Sequence, residues 1–242
     1  MTDDRTTGPE APELIWLRPE RTGRGPRPAH SRDSIAAAAV AIADAEGLDA
    51  ASMRRVAAAL GAGTMSLYNY VPKKEQLLDL MLDAVVGEYD LPAEPSGDPR
   101  DDLHLLLRQQ LAALRRHTWV PRLVIGRPSL GPNGLRYTEY FLACLAGTDL
   151  SGAAKMEAMA LLNGFLCQYA EWEHTTAAGG RWQADLVVYL QRVVVSGEYP
   201  QLAQAMAGGP AAEPPAPDAV FDRTLHRLIS AVLTPEGPAP RV

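Results

Sequence analysis

The chain has 242 residues, a formal net charge of −6 at pH 7 and an apolar content of 47%, enough for one large or two modest hydrophobic cores. The opening MTDDRTTGPE lacks the basic-then-apolar order of a secretory signal, and apolar runs such as residues 35–43 are far too short to cross a bilayer, so a soluble protein is expected. The two cysteines, Cys144 and Cys167, cannot make a disulfide framework; they read as core residues in a reducing cytoplasm.

Residues 1–30 read as a flexible arm. Residues 14–17 form an apolar patch without an assignable role, and residues 18–30 carry Arg21, Arg24 and Arg27 at three-residue spacing among Gly and Pro that preclude a helix. Residues 31–47 then read as an amphipathic helix, capped by Ser31, with Asp33 in its first turn, Ile35, Ala39, Ile42 and Ala43 as its stripe, and Gly47 as its stop.

The densest signal lies in residues 52–77, SMRRVAAALGAGTMSLYNYVPKKEQL. Ser52 is placed to cap a helix over residues 53–60 whose inner face is Val56, Ala57 and Leu60. Gly61 can take the positive φ of a tight corner, and Ala57 is small where two helix backbones approach. A second short helix over residues 64–70 turns Leu67 inward and leaves Thr64, Met65, Ser66, Tyr68 and Asn69 facing outward or towards the rim. This is helix-turn-helix spacing, and the second helix suits a major groove. Pro72 pushes Val71 out of the α region, and a new helix begins at Lys73 and Lys74 and runs towards Tyr89.

Further on, residues 91–100 are a Pro-rich connector and residues 98–117 a helix with Leu103, Leu106, Leu107, Leu111 and Leu114 on one face. Residues 118–129 read as irregular or one-turn. Helices follow over 132–147 and 151–174, the latter apolar almost all round and therefore expected to touch its own domain on one side and a second subunit on the other. Residues 181–197 and 199–207 are helical by pattern, 208–217 a flexible loop, and 218–232 an interface helix with a stripe of Phe221, Leu225, Leu228, Ile229 and Val232. The tail from 234 to 242 is expected to be disordered. With no convincing strand the class is all-α.

Residues 35–82, AxxxxADxEGLDAxSMRRVAxxLGxGxMSLYxYVxxKxxLLDLM, resemble the N-terminal domain of the tetracycline-repressor (TetR) family of transcriptional regulators. Residues 130–135 and 221–232 are similar to the ligand-binding domain of its tetracycline-repressor branch. The resemblance implies a three-helix helix-turn-helix domain over 31–77, a connecting helix over about 73–90, and a larger helical ligand-binding and dimerisation domain over 98–233. The outward positions of the second helix differ from those of the tetracycline repressor, so neither operator nor drug carries over.

Net charge divides to match. Between residues 18 and 74, Arg18, Arg21, Arg24, Arg27, Arg32, Arg54, Arg55, Lys73 and Lys74 outnumber Glu20, Asp33, Asp44, Glu46 and Asp49, which leaves an acidic body behind a basic head. In that head Arg54 suits guanine or a phosphate, Tyr68 a phosphate, and Tyr70 either a phosphate or the core. Lys73 and Lys74 lie at a helix start that favours phosphate. Thr64, Ser66 and Asn69 can read base edges, Met65 can meet a thymine methyl or simply pack, and Ser52 completes the set. Arg24 and Arg27 belong either to a solvated tail or to an arm that follows the backbone or enters the minor groove.

No nucleotide, metalloprotease, thiol-redox or serine-hydrolase motif occurs, so no enzyme activity, metal or cofactor is expected. His30, His104, His117, His174 and His226 are scattered and read as surface or rim residues, although a metal joining a ligand to His104 or His117 stays open. Asn163, Gln168 and Trp172 sit among apolar residues and need partners if buried; a ligand or local bonds would serve. The resemblance adds His104, Arg108, Trp119, Tyr137 and Tyr140 from the other pocket-lining helices. The expectation is a homodimeric, ligand-responsive repressor that binds a palindromic operator in double-stranded DNA and releases it on binding a small hydrophobic effector. The alternatives are an all-α binding protein or enzyme with an appended DNA-binding head, or a ligand-independent factor or activator.

Overall fold

The computed structural model describes residues 14–19, 30–127, 129–177, 179–206 and 216–234. Arg24 and Arg27, most of the 208–217 loop and the C-terminal tail lie outside them. Among the described residues every regular element is a helix, as the all-α reading requires. None of these helices is long and apolar enough to cross a membrane. The chain forms two compact units, residues 1–94 with 109–143 and residues 95–108 with 144–242.

In the first unit, helix α1 (Arg32–Glu46) starts in a reciprocal cap: the Ser31 hydroxyl accepts from Ser34 N–H at 3.1 Å, and the Ser34 hydroxyl accepts from Ser31 N–H at 2.9 Å. The expected stripe is rotated. Ala36 and Val40 are buried with Ile35, Ala39 and Ala43, whereas Ile42 is half-buried, because α1 packs against both α2 (Met53–Ala59) and α4 (Lys74–Val86) and needs a broader apolar face. Between them lies α3 (Thr64–Tyr68), shorter than the expected 64–70. Helix α4 likewise ends at Val86, so Glu88 and Tyr89 belong to the segment after it.

The rest of this unit comes from the second half of α5 (Pro99–Arg116), from α6 (Val120–Val124) and from α7 (Pro132–Cys144). Helices α4 and α7 meet at Asp83. Its buried carboxylate accepts from the backbone N–H of Asn133 at 3.0 Å and of Gly134 at 2.9 Å, satisfying donors that the first turn of α7 cannot bond itself. Gly131 makes this approach possible: a Cβ there would lie 2.3 Å from Asp83 Oδ1 and 2.4 Å from the Trp16 ring. The apolar patch at residues 14–17 therefore has a role. It forms a 3-10 turn, Ile15–Leu17, that packs against α4 and has Ile15 fully buried, so this part of the expected arm is anchored.

In the second unit, α8 (Gly152–Ala177) buries Ala158, Leu162, Leu166, Cys167, Tyr169 and Ala170. Helix α11 (Pro217–Val232) turns Phe221, Leu225 and Ile229 into the same core, with Phe221 stacked on Phe165 at 6.1 Å between ring centroids. Most of the stripe expected at an interface is thus occupied within the chain, and Leu228 and Val232 are half-buried. Helices α9 (Arg181–Ser196) and α10 (Pro200–Met206) bury no residue, and Val195 on α9 is 85% exposed.

Candidate nucleic-acid interface and an aromatic cleft

The helix-turn-helix forms from local determinants. Ser52 caps α2 by accepting from Arg55 N–H at 3.4 Å, Gly61 takes φ +64° at the corner, and Val56, Ala57, Leu67 and Val71 are buried beneath α3. Burial of Val56, Leu67 and Val71 contributes about 1.5–3 kcal/mol each. This core leaves α3 displayed: Met65 is 78% exposed, Ser66, Tyr68 and Asn69 are exposed, and Thr64 and Tyr70 are half-buried. Exposed Lys73 and Lys74 stand at the start of α4, and Arg54 is exposed on α2. Its neighbour Arg55 is instead engaged at two points by Glu46, the last residue of α1, which lowers the Glu46 pKa chiefly through the side-chain hydrogen bond.

Behind these helices sits a polar knot that composition did not reveal. His117, expected on the surface or rim, is 6% exposed, with Nδ1 2.8 Å from Asp44 of α1 and Nε2 3.1 Å from Glu88. Trp119, expected in a ligand pocket, is buried and donates its indole N–H to the same Asp44 oxygen at 2.8 Å. Arg116 reaches Glu88 at 2.7 Å. Partial burial would raise the Glu88 pKa, but hydrogen bonds from Arg116 and His117 outweigh it and hold the carboxyl below its ordinary value. Both aromatic rings are buried because they have these acids as partners.

Beyond the C-terminal end of α4 is a cleft of about 270 Å³ lined by Val86, Gly87, Tyr89, Leu91, Pro92 and Ala93 and, from α7, by Asn133, Arg136, Tyr137 and Tyr140. Tyr89 meets Tyr137 edge-on at 5.8 Å, and the Tyr137 hydroxyl donates to buried Gln110 at 3.1 Å. Of the eight expected ligand residues, the cleft collects Tyr137 and Tyr140. Arg108 instead grips Asp222 through both carboxylate oxygens at 2.7 and 2.8 Å, and His104 lies 3.3 Å from the same acid. Asn163 is half-buried, whereas Gln168 and Trp172 are exposed, the latter against Tyr169 at 5.7 Å. Arg136 and Asn133 were missed, although Asn133, Arg136, Tyr137 and Tyr140 fall at i, i+3, i+4 and i+7, the spacing of one helix face.

Residues 35–81 match the family model of bacterial regulatory proteins of the tetR family, and residues 91–234 match the tetracyclin repressor-like C-terminal domain. The chain belongs to the TetR family. It is 40% identical over 201 residues to the HTH-type transcriptional repressor DrrR1 of Streptomyces coeruleorubidus, covering 79% of this chain and 74% of that protein. An HTH-type transcriptional regulator of Saccharopolyspora erythraea is 34% identical over 236 residues, 96% of each chain. Among solved structures, apo ActR of Streptomyces coelicolor superposes with a TM-score of 0.71 at 30% identity, over 84% of this chain and 97% of that one. Its complex with actinorhodin gives 0.68 at 29% identity over the same shares. As a TetR family member, the chain is a DNA-binding transcriptional regulator.

Proposed function

We propose that this TetR family protein acts as a homodimer, reads an inverted-repeat operator with α3, and releases it when a small aromatic acid fills the cleft beyond α4. The observation that carries this reading is the placement of α4: Lys73 and Lys74 mark the end beside α3, and Val86 and Gly87 at the other end line the cleft. One helix thus touches both candidate sites. The cleft's tyrosines offer ring faces and edges to an aromatic system, and exposed Arg136 offers a planar fork to a carboxylate or phenolate. About 270 Å³ is just below the usual 300–1,000 Å³ of ligand pockets, which favours a small ring system. The complexes of ActR with actinorhodin and with (S)-DNPA support a small-molecule effector for this chain.

On DNA, the exposed Asn69 and Ser66 read bases, and Tyr68, Lys73 and Lys74 hold phosphates. Exposed Leu161 and Trp172, eleven residues apart and so on one face of α8, supply an apolar surface for a second copy. No chemical turnover is part of this reading.

The test uses a duplex that the wild-type protein selects from a random pool, with actinorhodin and (S)-DNPA as probes. Both should raise the melting temperature and release the duplex, and Arg136→Ala should abolish these responses with DNA affinity intact. Binding of either probe that is unaffected by Arg136→Ala and Tyr137→Ala would place the effector elsewhere. Separately, Asn69→Ala should lose about 1–3 kcal/mol on the selected duplex only, whereas Lys74→Ala should weaken binding to every sequence.

A further inference from the structure

We propose that His117 is a proton-dependent clasp that holds the DNA-reading helices in place from the end of α4. A carboxylate oxygen only accepts hydrogen bonds, so the contacts of Nδ1 with Asp44 at 2.8 Å and of Nε2 with Glu88 at 3.1 Å are both hydrogen bonds only when both ring nitrogens carry hydrogen. A neutral ring surrenders one of the two and sets a bare nitrogen against an acceptor. The charged groups facing the ring are Asp44 from α1, Glu88 from the segment after α4 and Arg116 from α5, which shares Glu88 at 2.7 Å. The Trp119 indole steadies Asp44 whatever the charge of the imidazole, because its N–H holds the same oxygen at 2.8 Å. Protonation of His117 therefore decides whether Asp44 of α1 and Glu88 after α4 are tied through the ring, in addition to the packing of α1 on α4.

The clasp bears on DNA through the last turn of α1. Asp44 lies two residues before Glu46, which grips Arg55 on α2 of the helix-turn-helix at two points. A head held in one arrangement before it meets DNA has less freedom to lose on binding, so the clasped state is the tighter-binding one. The sign follows from linkage. The doubly protonated ring favours the clasp, so the gain in affinity is present at low pH and is lost as pH rises. Glu88 also stands between Gly87 and Tyr89, both of which line the cleft. A ligand that displaces either draws the carboxylate off the ring. This second step rests on the cleft being the effector site, whereas the clasp itself does not.

The experiment uses the full-length protein and the selected duplex, with dissociation constants measured from pH 5.5 to 8.5 at constant ionic strength. Wild-type affinity should fall on the order of tenfold as pH rises. The His117→Gln protein should show a flat profile, and Glu88→Gln should show a weaker pH response, because the amide that replaces the carboxylate can donate as well as accept and no longer requires the doubly protonated ring. A flat wild-type profile, or an unchanged one in His117→Gln, overturns the clasp. Should His117→Gln fail to fold, ring-nitrogen NMR of the wild type decides: one histidine with both nitrogens protonated at pH 6, perturbed by Asp44→Asn, is expected, and a neutral His117 refutes it. The same duplex with actinorhodin separates the two readings. A pH response lost in His117→Gln, beside an actinorhodin response that Arg136→Ala and Tyr137→Ala leave unchanged, would retain the clasp and reject the cleft.

Discussion

Replacing Asp83 should loosen the joint between α4 and α7, and the size of the effect follows from its bonds. The carboxylate accepts from Asn133 N–H at 3.0 Å and from Gly134 N–H at 2.9 Å, and both the acid and Gly134 are buried. Asp83→Ala strands these donors, at about 1–3 kcal/mol each. It also removes a negative charge from a helix N-terminus, where such a charge contributes about 0.3–2 kcal/mol. Relief of the carboxylate's own desolvation offsets part of this, leaving a net loss of about 3–5 kcal/mol. Asp83→Asn keeps one acceptor oxygen in the same place and should lose only about 1–2 kcal/mol. Denaturant unfolding followed by circular dichroism, at one fixed protomer concentration because association contributes to stability, measures both. If Asp83→Ala proves within about 0.5 kcal/mol of wild type, or no worse than Asp83→Asn, the reasoning about a buried cap is wrong.

Ile15 is fully buried, so Ile15→Ala should cost about 2–3 kcal/mol in the same assay, and a change under about 0.5 would mean that the N-terminal turn is not anchored. Burial pushes the thiols of Cys144 and Cys167 up to about 12 and about 11, so native protein at pH 8 should resist alkylation until denaturant is added; rapid native labelling would contradict this. The Glu88 carboxyl is held below its ordinary value, so its contacts contribute stability that is full at neutral pH and lost as pH falls through the folded value. Glu88→Gln should therefore be less stable than wild type at pH 7, with the gap closing in acid; a gap that persists at pH 3 assigns the loss to packing. Leu161 on α8 is exposed in the single chain, so Leu161→Glu should fold and sediment as a monomer where wild type sediments as a dimer. A dimeric variant would place the interface elsewhere.

What could be read from the sequence is what short spans of chain determine. Ser52 caps a helix three residues away, Gly61 turns a corner on its own φ, and the leucines of α5 repeat at helical spacing, so the helix-turn-helix and the all-α class were legible. Outward-facing positions on α3 were legible for the same reason, since one buried residue, Leu67, orients the whole short helix. The expected ends of α3 and α4 ran too long: after α3 no Pro or Gly comes before Pro72, whereas α4 is stopped at once by Gly87 although helix-compatible Glu88 and Tyr89 follow it.

The rest depended on partners far away in sequence. His117 and Asp44 are 73 residues apart, and Trp119 and Asp44 are 75 apart, so nothing near either aromatic ring announced an acid waiting for it. An indole amid apolar neighbours has two ways to satisfy its N–H, a ligand or a protein acceptor, and periodicity does not tell them apart. For Trp119 the acceptor is Asp44. The same limit explains the pocket: His104 and Arg108 have the chemistry of ligand contacts, but Asp222 engages both, while Arg136, which nothing in the sequence singled out, faces a cleft. Polar residues on a helix thus declare what they could bind, and only the arrival of an acid from another helix decides whether that capacity is spent on holding the fold or left for a ligand.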